Sequence, residues 1–395
     1  MKRGISAANK CRVSREKCVG LRLIITQTCV PDYRICFFSA LASKIDSLSV
    51  FSGPEYFDSS IKDRANGQLW SLQRRNHFLF GRRLAWFQRI NWRHDGSTVF
   101  IHEWNPRILS LWRDLSSCRA RQVPFLLWGH ATGRTGSTGL AFKLRRWISR
   151  QADGVICYSE SQATRVQASM PNMRVIAAPN ACLSRHDCGV TGEEAGRNNI
   201  IYVGRIIREK KVDLLLRGFQ RACANDPTFA ARLLIVGDGP ERAALMSLSD
   251  NLKISDRVIW FGHQSDAKII RSAYEQSFTS VAAGSIGLSM MQSLAFGVPV
   301  IIAKNEPHGP ELEMAREGFN AEFFKSNDPA GLAQKFALAW REWRDIKGRR
   351  EVIAASTADN CSAEAMADRF IDIALSCVKS RVRTAAVLSN GITLL

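Results

Sequence analysis

Short apolar runs recur along the chain, separated by longer segments of mixed character. The first is "LRLIITQT" (Leu21 to Thr28), ended by the turn "VPDYR". "DSLSVFSG", "STVFIHEW", "QVPFLLWG", "DGVICYS" and "MRVIAAPN" follow. Their shortness and β-branched content predict buried strands. Between several of them lie segments of helical length and spacing, such as "PRILSLWRDLSSCRAR" and "TGLAFKLRRWISRQA". Strand-helix alternation of this kind predicts an α/β fold, a parallel sheet with helices on both faces.

The alternation lapses in "CLSRHDCGVTGEEAGRNN", which lacks periodicity and is rich in Gly, Asn and charge. It then restarts with "NIIYVGR", "ARLLIVGDGP", "DRVIWFG", "SFTSVAAG" and "VPVIIAK", again with helices between. The pattern therefore predicts two doubly wound, Rossmann-like domains. The boundaries it suggests are a basic extension over 1–19, expected to be a disordered tail, a first domain over 20–181 and a linker over 182–199. A second domain over 200–378, closed by the helix "SAEAMADRFIDIALSCVKSRV", and a tail over 379–395 complete the chain. Doubly wound sheets bind ligands at the carboxyl ends of their strands, so two in tandem suggest a cleft lined by both edges.

Composition narrows the partner. The net charge of +19, from 55 Lys and Arg against 36 Asp and Glu, favours an anionic partner: a phosphorylated substrate, an acidic membrane face or nucleic acid. A charge that only maintains solubility is the plain alternative. No apolar run reaches the ~18–20 residues of a spanning helix, and no apolar core follows the basic start as a secretory signal requires. Eleven cysteines without a Cys-x-x-Cys pair or Cys/His cluster point to reduced thiols in a cytoplasmic protein and away from structural zinc.

Candidate chemistry sits at strand ends of the second half. "VGRIIREKKVDLLL" sets Gly204 and Arg205 after a strand and Lys210 at the start of the next helix. A guanidinium fork and an ammonium converging there suit a diphosphate, although the same residues could simply solvate a surface loop. "LLIVGDGPER" looks like a dinucleotide fingerprint but has Arg242 where the third Gly belongs, so a tight turn with Gly237 and Gly239 at positive φ is expected instead. "GSIGLSMMQSLAFGVPVI" (Gly284 to Ile301) has no charged residue. Gly284 and Gly287 would let the backbone approach a ligand, and a helix from about Leu288 to Phe296 would offer free N–H groups and a positive dipole end. Gly297 and Pro299 would end that helix.

These motifs in this order, with "DRVIWFGH" and "DPAGLAQKFALAW", resemble the nucleotide-sugar domain of glycosyltransferase family 4, retaining enzymes of the GT-B fold. The resemblance is dense from Asn199 to Trp340 and thinner over the first domain, where "TQTCVPDYRICFFSALAS" is similar to the family's opening strand and acceptor-side loop. It implies two facing domains with the active site between them, a nucleoside-diphosphate sugar of UDP or GDP type in the second, and no obligatory metal. It also implies a saccharide or lipid-linked acceptor and a place in exopolysaccharide, capsule or lipopolysaccharide assembly. That setting is the cytoplasm, at the inner face of an anionic membrane, with no nucleic-acid partner. Arg205 and Lys210 would bind the diphosphate, His263 would lie by the base, and His130, in "FLLWGHATGRTG", would contact the reacting centre. His102 is a lesser candidate; Asp32 and Arg34 would face the acceptor.

One departure stands out. The family pattern has two Glu separated by seven residues, and here those positions hold Gly284 and Gln292. Gln292 can still hydrogen-bond ribose hydroxyls; Gly284 replaces no carboxylate. Glu311, in "NEPHGPELEMA", could bring a carboxylate or backbone contact to the same end of the cleft, or stand exposed on a loop. In retaining transfer on this fold the departing phosphate takes the acceptor proton, so the protein's main task is to stabilise charge on the leaving group. A sugar-nucleotide binder without turnover, a nucleic-acid-binding protein and an epimerase on the same fold are the other readings. The second lacks the usual recognition motifs, and the third lacks placeable acid-base carboxylates.

Overall fold

The computed structural model describes residues 18–59, 61–131, 140–191, 196–343 and 347–391. The first domain contains the strands β1 (Cys18–Gln27), β2 (Ile45–Ser52), β3 (Ser71–Gln73), β4 (Asn76–Leu79), β5 (Leu84–Phe87), β6 (Thr98–Glu103), β7 (Phe125–Trp128), β8 (Gly154–Cys157) and β9 (Arg174–Ala177). Helices α1 (Ile35–Lys44), α2 (Ser110–Ala120), α3 (Leu140–Gln151) and α4 (Glu160–Ser169) connect them. Seven strands form a parallel sheet in the order β3-β2-β1-β6-β7-β8-β9, while β4 and β5 form a separate antiparallel hairpin. β7 and β8 are buried along their whole length, as continuous apolar runs between two helical layers require.

The second domain holds β10 (Asn199–Val203), β11 (Arg232–Val236), β12 (Val258–Gly262), β13 (Ser277–Ala282), β14 (Val300–Ala303) and β15 (Ala321–Phe324). Its helices are α5 (Val212–Asn225), α6 (Arg242–Asn251), α7 (Ala267–Glu275), α8 (Leu288–Ala295), α9 (Pro329–Glu342) and α10 (Lys347–Cys361), and α11 (Ala363–Gly391) ends the chain. The sheet order is β12-β11-β10-β13-β14-β15, all parallel. Strand order reverses between β1 and β6 in the first sheet and between β10 and β13 in the second. These two switch points are where doubly wound sheets open a crevice.

Three of the expected boundaries change. β1 begins at Cys18, inside the segment read as an extension; residues 1–17 lie outside the described residues. α11 continues through Gly391, where a tail was expected. The helix also does not close the second domain. Met366, Phe370, Ile373 and Ala374 of α11 are buried with Phe37, Phe38 and Trp128 in the core of the first domain. The Phe370 ring lies 4.8 Å from that of Phe37 and 4.9 Å from that of Trp128. Lys44 reaches Asp368 at 2.7 Å and Arg381 reaches Asp153 at 3.0 Å. Helical spacing identifies an apolar face but not its mate, and this one closes the sheet from which it is farthest in sequence.

Removing the Phe370 ring should open a cavity between α11, α1 and β7. Phe370→Ala should destabilise the first domain by about 3–5 kcal/mol, read as a lower urea midpoint. An unchanged midpoint would place α11 outside that core.

Candidate active site

The second switch point is assembled from backbone contacts that only glycine permits. Gly237 has φ +145°, and a Cβ there would lie 1.9 Å from the Gly204 carbonyl oxygen. A Cβ on Gly239 would lie 2.2 Å from the Ile206 oxygen, yet Gly239 is absent from the left-handed region. The expected pair of positive φ angles is therefore found at Gly237 alone; Gly239 is required by close approach instead. Together these contacts press the β11 turn onto the segment Gly204–Ile206, where the Ile206 N–H donates to the Asp238 carbonyl (2.9 Å).

Arg205 follows directly. The Tyr202 hydroxyl donates to its carbonyl (2.8 Å), which fixes the backbone while the side chain stays 64% exposed. Its guanidinium lies 3.9 Å from Asp58 of the first domain. So exposed a pair contributes little stability, and it leaves the guanidinium available at the cleft. Lys210 does not start the next helix. It ends a 3-10 turn (Arg208–Lys210), and Lys211, at φ +51°, turns the chain into α5. The Lys210 ammonium donates to the Ser285 carbonyl (2.7 Å). Burial, and then the charge of Arg205, lowers its pKa, while Glu311 and Glu209 oppose the shift.

Gly284 is as tightly placed as Gly239. A Cβ there would stand 2.2 Å from the Glu209 oxygen and 2.8 Å from the Lys210 carbonyl carbon. No side chain fits, so the family's first carboxylate has no room at this position. From Gly284 the chain passes Ser285 and Ile286 to Gly287, the cap of α8, with Gly297 at φ +69° beyond its far end. Leu288 and Gln292 lie on the first two turns of α8, both partly exposed.

The loop Gly309–Met314 supplies a carboxylate instead. Glu311 is not on an exposed loop; it is 6% exposed, and Oε1 accepts a hydrogen bond from Asn180 Nδ2 (3.1 Å). Its Oε2 lies 3.9 Å from where a Gly287 Cβ would be, at the start of α8. His308 ties the same loop down. Its Nδ1 accepts the Ile286 N–H (3.2 Å), so Nε2 carries the proton and donates to the Ala303 carbonyl (2.9 Å). Burial lowers its pKa against the pull of Ala303 and Glu306, and the ring stays neutral. Sequence reasoning missed His308, although "HGPE" contains it. His263 stands exposed after β12, beyond Gly262 at φ +68°.

In the first domain His130 is exposed at the end of β7, its ring 4.6 Å from that of Tyr158. His102 is wholly buried; burial pushes its pKa down to about 3, and its Nδ1 is 2.9 Å from the Glu103 carbonyl oxygen. It is a core histidine. Asp32 is exposed at the head of a 3-10 turn, but Arg34 does not stand open toward an acceptor. Its guanidinium lies 4.4 Å over the Trp128 ring and donates to the Tyr158 hydroxyl (2.8 Å) and to Gln27. Aromatic faces around the first switch point capture it.

A residue passed over in the sequence occupies that point. Glu103 ends β6, and its Oε2 accepts both the N–H (2.8 Å) and the hydroxyl (2.7 Å) of Thr28, just past β1. Among the described residues its Oε1 meets the Tyr56 hydroxyl alone, at 3.4 Å. The charge of Glu103, followed by burial, raises the Tyr56 pKa and keeps that phenol protonated. The available signal was positional: Glu103 follows an apolar run just as Arg205 does.

This fold, two doubly wound domains with a crevice at each switch point, is that of the GT-B glycosyltransferases. Residues 188–373 match the family described as glycosyl transferases group 1, so the resemblance read from the motifs holds as far as a glycosyltransferase of this group. The chain is 27% identical over 229 residues to a D-inositol 3-phosphate glycosyltransferase of Rhodococcus jostii, covering 53% of this chain and 49% of that protein. It is 29% identical over 178 residues to the lipopolysaccharide core biosynthesis glycosyltransferase LpsD of Rhizobium meliloti, 44% of this chain and 48% of that one. The matches thus span about half the length of these curated relatives. Among solved structures, a glycosyltransferase from Rickettsia africae superposes with a TM-score of 0.65 at 12% identity, over 91% of this chain and 99% of its own. Anabaena HepE, solved in complex with UDP, gives 0.56 at 14% identity, over 93% of this chain and 100% of its own.

The neutral His308 gives the site a pH signature. Its charged form is disfavoured in the fold, so the stability it lends is present above the ordinary His pKa near 6.5 and is lost as pH falls below it. Melting curves of the protein and of His308→Ala, taken from about pH 8 to 5, should converge at the acid end. A constant gap between them would remove His308 from this role.

Proposed function

We propose that the protein is a retaining glycosyltransferase that moves a sugar from a nucleoside-diphosphate sugar, of UDP or GDP type, to a saccharide or lipid-linked acceptor. The observation that carries this reading is the Lys210 ammonium held on the Ser285 carbonyl at the second switch point, between exposed Arg205 and the start of α8. Two cations and a helix N-terminus aimed at one crevice suit a diphosphate that gains charge as its sugar departs. Gln292 and His263 would meet the nucleoside, and Glu311 the donor sugar. The reading calls for no obligatory metal. The UDP in the HepE structure and the lipopolysaccharide role in the name of LpsD lend it support by analogy.

On the acceptor side the reading adds Glu103 to His130. Glu103 uses one oxygen to hold Thr28, which leaves the other to accept a hydrogen bond from an acceptor hydroxyl. The acceptor oxygen would attack from the face the diphosphate leaves, and the departing phosphate oxygen would take its proton. Assembly of a surface polysaccharide or lipopolysaccharide at the inner membrane face is the setting that fits this chemistry.

A thermal-shift panel with UDP, GDP, ADP and CMP should reveal one nucleotide that raises the melting temperature. Arg205→Ala and Lys210→Ala should each weaken that ligand at least about tenfold, roughly 1.4 kcal/mol. Because Arg205 is exposed, its variant should fold normally even if Lys210→Ala does not. No shift with any nucleotide would end the reading; a shift without transfer or donor hydrolysis would leave a non-catalytic sugar-nucleotide binder.

Glu103→Gln keeps an oxygen for Thr28 and removes the second acceptor, which meets Tyr56 at 3.4 Å. It should raise the acceptor KM about tenfold or more, the scale of losing a hydrogen bond to a charged group, with nucleotide binding unchanged. An unchanged acceptor KM would take Glu103 out of the acceptor site.

A further inference from the structure

The basic surplus has a place on the surface that the cleft does not use. From Arg75 to Arg93 the chain carries five Arg and no acidic residue, interleaved with Phe and Trp. This stretch contains the β4–β5 hairpin, in which Leu79 pairs with Leu84. At its tip Phe80 is 75% exposed and sits at φ +51°, a left-handed conformation unfavourable for a side chain with a Cβ. Burial in the core does not explain an apolar ring held outward in this way.

The tip is anchored. Arg82 donates to Glu55 (2.6 Å) and to the Phe57 carbonyl (2.9 Å), and Arg107 donates to the carbonyls of Arg83 (2.7 Å) and Arg82 (2.8 Å). Beside it the apolar surface continues. Trp86 is 42% exposed on β5, with the Arg113 guanidinium 5.4 Å from its ring centre. Next to Arg113 the Trp112 ring lies 5.4 Å from that of Trp147, which is 51% exposed on α3. Leu144 is exposed one turn earlier on the same helix.

The cations surround these rings. α3 contains Lys143, Arg145, Arg146 and Arg150 and no acidic residue. The nearby carboxylates are engaged: Asp114 is buried against Arg113, and Glu55 is paired with Arg82 and Lys62. Protruding apolar side chains set among guanidinium and ammonium groups that outnumber the carboxylates fit the boundary between lipid headgroups and acyl chains. Each cation near such a surface is attracted by anionic headgroups. Soluble polyanions would use the charge but would gain little from Phe80 or Leu144.

We propose that the β4–β5 hairpin, α2 and α3 form a face that docks the protein on an anionic lipid bilayer. The inference does not depend on sugar transfer, but it places the bilayer beside the candidate acceptor side. Arg145 of α3 donates to the carbonyls of Trp104 (2.8 Å) and His130 (3.0 Å), so the face and the His130 edge of the cleft are one rigid unit.

Co-sedimentation of the full chain with vesicles tests this. It should bind vesicles of phosphatidylcholine with one part in about three phosphatidylglycerol, and pass over pure phosphatidylcholine. The variant Phe80→Ser/Trp147→Ser should bind the anionic vesicles about tenfold more weakly or worse. Both side chains are exposed, so its melting temperature should match that of the unaltered protein. Equal binding by both proteins would overturn the proposal and assign any affinity to charge elsewhere, the basic first residues included. So would failure of the unaltered protein to bind anionic vesicles at all.

Discussion

The contact between Gly284 and the backbone of Glu209 and Lys210 governs the second domain's crevice. With no Cβ between them, the loop after β13 and the turn after β10 close to van der Waals distance. That closeness is what lets the Lys210 ammonium reach the Ser285 carbonyl. It also fixes where Gly287 begins α8, and hence where the free N–H groups of that helix point. The absence of a carboxylate at position 284 is a requirement of this packing, and the acidic group of the region comes from Glu311 on a neighbouring loop.

The two domains use their switch points in opposite ways. In the second, cations and helix N–H groups surround an opening where strand order reverses. In the first, the reversal between β1 and β6 is bridged by Glu103 and Thr28, with Arg34 locked between aromatic rings nearby. One edge of the cleft is therefore electropositive and open, while the other carries a carboxylate fixed by Thr28 on one oxygen and met by Tyr56 on the other. Such an asymmetry suits a site that must hold an anion on one side and neutral hydroxyl groups on the other.

Much of this was legible in the sequence because the relevant signals are local. Strand ends marked by Gly204 and Gly284, the helix start after Gly287 and its glycine stop all depend on neighbours within a few residues. What was not legible depends on distant partners. Arg34 reads as an open cation until Trp128, the last residue of β7, and Tyr158, just past β8, close over it. Glu103 gains meaning only when parallel pairing brings Thr28 beside it. His308 is significant because its ring accepts the N–H of Ile286, and the apolar face of α11 carries no mark of the domain it covers.

The return of α11 to the first domain means that the chain passes between domains twice, and the two passages run side by side. The Ala363 N–H donates to the Leu183 carbonyl (2.9 Å), and the Arg185 N–H to the Glu364 carboxylate (2.7 Å). Two tethers joined along their length behave as the pin of a door. They leave rotation about their common line as the easy motion and resist twisting or sliding of one domain over the other. A rotation about that line would part the Arg205–Asp58 and Glu313–Ser161 contacts together.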